Sequence, residues 1–167
     1  MKARKPVLLI VWHSATGGAQ AMAAAFAQGA ATEAGIEVWL MNAQHAGPDD
    51  VLAADGYAFV SPEMLGSMSG LMKDFFERTY YPVLDRIQGR PSMLMVCAGS
   101  DGSGAVRQIQ RILTGWRLRE VAPPLVICTH AQTPERILAP KVLTAADIQK
   151  CRESGQALAA GLGMGLF

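Results

Sequence analysis

The sequence predicts an α/β fold in three layers, with helices on both faces of a five-stranded parallel sheet. Three observations carry this. Short runs rich in β-branched and aliphatic residues alternate with longer helical patterns, as successive βαβ units require. The first run, Val7 to Trp12, is continuously apolar, which suits a strand covered on both faces. The chain has 167 residues, half of them hydrophobic, enough for one well-cored domain over 1–167 and too few for two.

Each element follows from its own pattern. Val7 to Trp12 (VLLIVW) is the first strand. Gly17 to Ala34 is alanine-rich, with Met22 and Phe26 four apart, so its helix can lie close to the sheet. Gly35 is placed to end that helix before the second strand, Ile36 to Met41. Tyr57 to Val60 is the third strand. Leu71, Met72, Phe75, Phe76, Tyr80, Val83, Leu84 and Ile87 then recur at helical spacing, and Pro82 is expected to kink or break that helix near Tyr81. Ser92 to Cys97 is the fourth strand, followed by a helical stripe of Val106, Ile109, Ile112, Leu113 and Trp116. Leu125 to Thr129 is the fifth, its start limited by Pro123 and Pro124. Thr144 to Asp147 reads as a variant capping box. It opens a last helix with Ile148, Cys151, Leu158 and Leu162 inward, its end frayed by Gly161, Gly163 and Gly165.

Charge and cysteine usage narrow the function. Lys plus Arg number 15 and Asp plus Glu 14, so no broad basic face exists and nucleic acid is not an expected partner. The acidic excess of a small carrier steered onto basic donors is missing too. Cys97, Cys128 and Cys151 are odd in number and none stands at C-x-x-C spacing, so they read as buried thiols in a reducing cytoplasm. His13, His45 and His130 are equally scattered, and no metal site is expected. Lys2 to Lys5 followed by Pro6 to Trp12 imitates a secretory leader, but the apolar run is short and stops at Ser-Ala-Thr-Gly-Gly. It reads as a core strand. No apolar stretch is long enough to span a bilayer, and a cytoplasmic protein is expected.

In an open parallel sheet, ligands bind beyond the carboxyl ends of the strands, where the winding reverses. Three strand ends here carry unusual loops. Ser14 to Gln20 (SATGGAQ) sets two hydroxyls and successive backbone N–H groups at a helix start. This is a cradle for an anion such as phosphate, without any lysine; the same residues also make an ordinary N-cap. Ser61 to Gly70 (SPEMLGSMSG) brings Met64, Leu65 and Met68 into a long loop near the surface. Apolar side chains with spare backbone donors suit a flat heteroaromatic ring; core packing beneath a long turn is the other reading. Ala98 to Gly104 (AGSDGSG) has glycines for close backbone approach, with Ser103 equally a simple helix cap. A dinucleotide fingerprint, a P-loop and a G-x-S-x-G elbow are all absent.

In this order and spacing, the three loops resemble the flavodoxin superfamily over essentially the whole chain. Trp12 to Gly18 (WHSATGG) is similar to that family's first loop, a strand ending in S/T-x-T-G. Ser61 to Phe75 (SPEMLGSMSGLMKDF) resembles one branch more closely, the NAD(P)H-dependent FMN reductases and tryptophan-repressor-binding-protein-type quinone reductases. Their pattern is roughly P-x-x-x-G-x-x-[SP]-G-x-x-K, met here by Pro62, Gly66, Ser69, Gly70 and Lys73.

The resemblance implies a flavodoxin-like sheet in the order 2-1-3-4-5 and FMN as cofactor. Carried over by position, Ser14, Thr16, Gly17 and Gly18 bind the phosphate, with Ala15 and Ala19 giving backbone N–H groups. Pro62, Glu63, Met64, Leu65 and Gly66 line the isoalloxazine, and Gly99, Ser100 and Asp101 close its other side. Two features depart from the pattern. Ala19 stands where many flavodoxins place a hydroxyl, and no Trp or Tyr lies in the second or third loop to stack on the ring.

The implied activity is hydride transfer from NADH or NADPH, a transient donor, through FMN to a quinone, flavin or similar small-molecule acceptor. No protein residue is assigned a catalytic role. Two alternatives stay open: an electron-transfer flavodoxin serving partner proteins, and a flavodoxin-like domain that has lost its flavin and serves as an interaction module. Near-neutral charge and the missing aromatics favour the reductase. Related reductases are commonly oligomeric, and Phe76 to Leu84 is a candidate face for a homodimer or homotetramer, unless that helix simply packs on the sheet. Arg107 and Arg111, one turn apart, read as a solvated face more readily than as a nicotinamide-nucleotide contact.

Overall fold

The apolar run at the start of the chain becomes the middle of a twisted parallel sheet. The structure is a computed structural model that describes residues 4–167; Lys2 and Ala3, where the leader-like segment begins, lie outside that range. β1 (Val7–Trp12) pairs on one side with β2 (Glu37–Asn42) and on the other with β3 (Gly56–Met64). Beyond β3 lies β5 (Pro91–Ala98), and along its outer edge run β6 (Arg119–Glu120) and β7 (Leu125–Cys128), all parallel. The remaining strand, β4 (Ser67–Met68), folds back antiparallel onto the end of β3.

The described residues thus hold seven strands where five were expected, in the order β2-β1-β3-β5-β6, for two physical reasons. The expected fifth strand is cut in two: Pro123 and Pro124 have no N–H to offer a ladder, so the edge pairs with β5 at Arg119–Glu120 and again from Leu125. The other extra strand arises because the chain after Val60 stays extended instead of looping. With the edge counted once, the winding is that of a 2-1-3-4-5 sheet, and it reverses between β1 and β3.

Alternate strand residues feed two cores. Leu8, Ile10, Ala58, Val60, Met93 and Met95 pack beneath α1 (Gly18–Ala30) and α6 (Ala145–Gly163). Those two helices nearly touch. A Cβ at Gly29 would overlap the Arg152 carbonyl, and one at Gly155 the Phe26 carbonyl. On the opposite face Leu9, Val11, Tyr57, Phe59, Leu94 and Val96 meet α2 (Pro48–Ala53), α3 (Gly70–Val83) and α4 (Ser103–Gly115). Phe59, Phe75, Phe76 and Trp116 form an aromatic cluster there, with ring centroids 5.2–6.3 Å apart.

Several boundaries differ from the sequence reading. α1 stops at Ala30, four residues short, and Gly35 does not take a left-handed cap. Pro82 lies within the last turn of α3, which continues one residue past it; there only the bond to the Arg78 carbonyl is forfeited. Phe76 and Val83 are buried, so among the large apolar residues of the proposed oligomer face only Tyr81 is exposed. Arg107 and Arg111 are both solvated. Two short helices, α2 and α5 (Pro134–Leu138), were not foreseen. Among the described residues no helix is long and apolar enough to cross a membrane.

Candidate functional site

The reversal of winding opens a crevice above β1 and β3, and the first expected loop forms its floor. Ser14 Oγ accepts the Gly17 N–H at 3.0 Å, tightening the turn, and Gly17 takes φ +97°, a conformation that favours glycine. α1 begins at the next residue. The N–H groups of Gly18, Ala19 and Gln20 have no intrahelical partner, and with those of Ala15 and Thr16 they find no other acceptor among the described residues. Five donors thus stand at the positive end of a thirteen-residue helix.

The second segment is a β-hairpin, not an open loop. β3 runs on through Ser61, Pro62, Glu63 and Met64 to a two-residue turn, and β4 returns with Glu63 opposite Met68. Leu65 (φ 52°) and Gly66 (φ 74°) both take left-handed geometry, as a turn matching the strand twist needs. The turn leans on α4: a Cβ at Gly104 would overlap the Gly66 carbonyl oxygen. Glu63 completes the link, accepting N–H groups of Gly102 (2.9 Å) and Ala105 (3.1 Å) with its two carboxylate oxygens.

The third segment is held from its far side. Thr129 and His130 donate their N–H groups to the Ala98 and Gly99 carbonyls at 2.9 and 2.8 Å. The chain then crosses the mouth of the crevice through α5 and returns at Lys141. Lys141 N–H donates to the Thr16 carbonyl (2.8 Å), and its Nζ donates to Thr16 Oγ1 (3.1 Å), the Ile137 carbonyl (2.7 Å) and the Ala139 carbonyl (2.6 Å).

These segments line one partly open cleft. Of the expected residues, Ser14, Ala15, Thr16, Gly18, Ala19, Pro62, Glu63, Met64 and Gly99 line it. Gly17 shapes the floor from behind. Leu65 and Gly66 sit at the hairpin tip, and Ser100 and Asp101 face solvent outside the cleft, the Asp101 carboxylate accepting the Ser103 hydroxyl. Ala98, the first residue of the third loop, lines it as well; Cys97, Thr129, Ala131, Ile137, Leu138 and Lys141 also line it and were not anticipated. Cys97 ends the fourth expected strand and Thr129 the fifth, so their place at a strand's carboxyl end was a usable signal. Lys141 carries no local signal; it reaches the site only because α5 folds back.

Two titratable groups at the site are displaced from their usual behaviour. Burial pushes the Cys97 thiol up to about 11 despite the nearby positive charge of Lys141. Burial lowers the pKa of His13, whose Nδ1 lies 2.9 Å from Ser69 Oγ behind the hairpin. The remaining lining is largely apolar.

A flavin mononucleotide suits this arrangement on the structure's own terms. Its lining combines the unpaired donors at the α1 start with largely apolar walls, the mix of a few placed polar groups and apolar surface usual for small-molecule sites. The profile of the NADPH-dependent FMN reductase family matches residues 48–133, just over half the chain. The chain belongs to that family.

The family match spans α2, the hairpin, α4 and the turn after β7, leaving the Ser14–Ala19 floor outside it. A protein named flavodoxin from Aquifex aeolicus is 34% identical over 107 residues, 64% of this chain and 58% of that one. An NAD(P)H dehydrogenase (quinone) from Acidithiobacillus ferrooxidans is 32% identical over 92 residues, 43% of this chain and 46% of the relative. The chain therefore spans about half the length of these relatives. Among solved structures, a flavodoxin from the domain Archaea superposes with a TM-score of 0.74 at 18% identity, covering 93% of this chain and 98% of the other. At that identity the likeness establishes the three-layer flavodoxin-like fold.

Proposed function

We propose that this FMN reductase family member binds FMN in the cleft and acts as an oxidoreductase. NADH or NADPH is the donor, and a quinone, free flavin or similar small molecule the acceptor. The observation that carries the reading is the set of five N–H groups with no acceptor among the described residues, beside the Ser14 and Thr16 hydroxyls, in a cleft whose lining is largely apolar. An anionic tail and a flat apolar body are what such a site accommodates.

Bound FMN supplies the electron exchange between nicotinamide and acceptor. The chain's own residues bind and orient. The N–H groups of Ala15, Thr16, Gly18, Ala19 and Gln20 and the two hydroxyls hold the phosphate, favoured further by the α1 dipole. Pro62, Glu63 and Met64 form one wall of the ring site, and Gly99 sits opposite with Ile137 and Leu138 from the crossing segment. Met64 and Leu138 are 42% and 76% exposed and would bury apolar surface against the ring, excluding water from it. Leu65, Gly66, Ser100 and Asp101 are proposed at the rim, where nicotinamide or acceptor approaches.

Protein equilibrated with FMN and desalted is expected to stay yellow, to bleach with NADPH or NADH, and to recover colour with a quinone. An FMN spectrum unaltered by protein overturns the reading. A carrier of the kind the Aquifex relative's name describes would retain the colour but leave NAD(P)H unoxidised without a protein donor.

A further inference from the structure

Lys141 stands at the phosphate end of the cleft although nothing in the first loop calls for it. Its backbone is fixed by the N–H bond to Thr16, and its stem packs on the first turn of α1, with Cβ and Cγ 3.4 and 3.6 Å from where a Gly18 Cβ would be. The ammonium therefore sits beside the helix start that carries the unpartnered donors. Among the described residues it has no carboxylate within ion-pair distance; its three donors go to Thr16 Oγ1 and the Ile137 and Ala139 carbonyls. A half-buried lysine whose ammonium meets only neutral oxygens, next to five N–H groups without an acceptor among the described residues, suits an anion.

We propose that Lys141 is a specificity-determining residue that selects the phosphorylated flavin, its ammonium turning from strap carbonyls to the FMN phosphate. The proposal rests on FMN binding in this cleft and deepens it. Lys141 makes up for the hydroxyl missing at Ala19 and adds a full charge where a hydroxyl would add a dipole. Riboflavin, which lacks the phosphate, gains nothing from it. Because the ammonium also holds Ile137 and Ala139, the arriving phosphate draws on the segment that forms the ring site's outer wall.

The test is the affinity of wild type, Lys141→Gln and Lys141→Arg for FMN and for riboflavin by flavin fluorescence, with apoprotein melting curves alongside. Lys141→Gln is expected to weaken FMN by about 10- to 100-fold, the value of one charge-assisted hydrogen bond, and to alter riboflavin by less than about 3-fold. Lys141→Arg is expected to recover most of the FMN affinity. Unchanged FMN affinity in Lys141→Gln overturns the proposal, and so does an equal loss for both flavins, which would make Lys141 a strut for the strap. A wild type that binds neither flavin removes the FMN reading itself, and this proposal with it.

Discussion

The Glu63 carboxylate caps a helix that begins 40 residues later. Its two oxygens accept the Gly102 and Ala105 N–H groups at 2.9 and 3.1 Å, and Gly102 itself, left-handed at φ +87°, supplies no side-chain cap. A negative charge at a helix N-terminus is favourable on its own, so Glu63 serves the start of α4, whereas among the described residues no carboxylate caps the start of α1. Replacing Glu63 by Ala leaves two N–H groups unpaired and is expected to cost about 1–3 kcal/mol in urea unfolding. Glu63→Gln, which keeps one acceptor, should lose less.

Gly104 tests the same joint sterically. A methyl group there meets the Gly66 carbonyl oxygen, so Gly104→Ala must push the hairpin off α4. A destabilisation of about 1–3 kcal/mol is expected, with FMN affinity falling in parallel because Pro62, Glu63 and Met64 move with the turn. A variant as stable as wild type would show that the hairpin is not seated on the helix.

Leu65 leads to a prediction of the opposite sign. It is fully exposed and sits in a left-handed conformation that disfavours a branched apolar side chain. Leu65→Asn is expected to raise stability by about 1 kcal/mol, since Asn tolerates that geometry at a hairpin turn. If Leu65 is at the rim where nicotinamide or acceptor docks, the same variant raises the KM for one of them. Thermal melts and steady-state kinetics separate the two effects.

His13 gives the pH dependence. Its Nδ1 lies 2.9 Å from Ser69 Oγ, with the donor set by the ring tautomer, and burial holds the imidazole pKa below 6.5. The folded protein therefore disfavours protonation that the unfolded chain accepts. The contribution is fully present above about pH 6.5 and is lost as pH falls through that value toward the lower folded pKa. Urea midpoints between neutral and mildly acidic pH should fall less steeply in His13→Asn than in wild type.

Much of the fold was legible in the sequence because its signals are local. Continuous apolar runs mark strands covered on both faces, and the Thr144 cap is where it was read, its hydroxyl accepting the Asp147 N–H at 3.1 Å. What was hidden depends on partners distant in the chain. The extension of β3 through Pro62 becomes a strand only because β5 pairs with it and β4 folds back. Helices of five and six residues give too little periodicity to see. At the site, the first loop was legible because donors, hydroxyls and glycine adjoin in sequence. Lys141 was not, because 125 residues separate it from Thr16 and only the folded α5 joins them.

The start of α1 is proposed to grip the FMN phosphate. Amide resonances followed during an FMN titration test it most directly. Ala15, Thr16, Gly18, Ala19 and Gln20 are expected to shift together and saturate, with Met64 and Gly99 responding from the ring side. Shifts confined to the hairpin and absent from the α1 start, at saturating FMN, would contradict it.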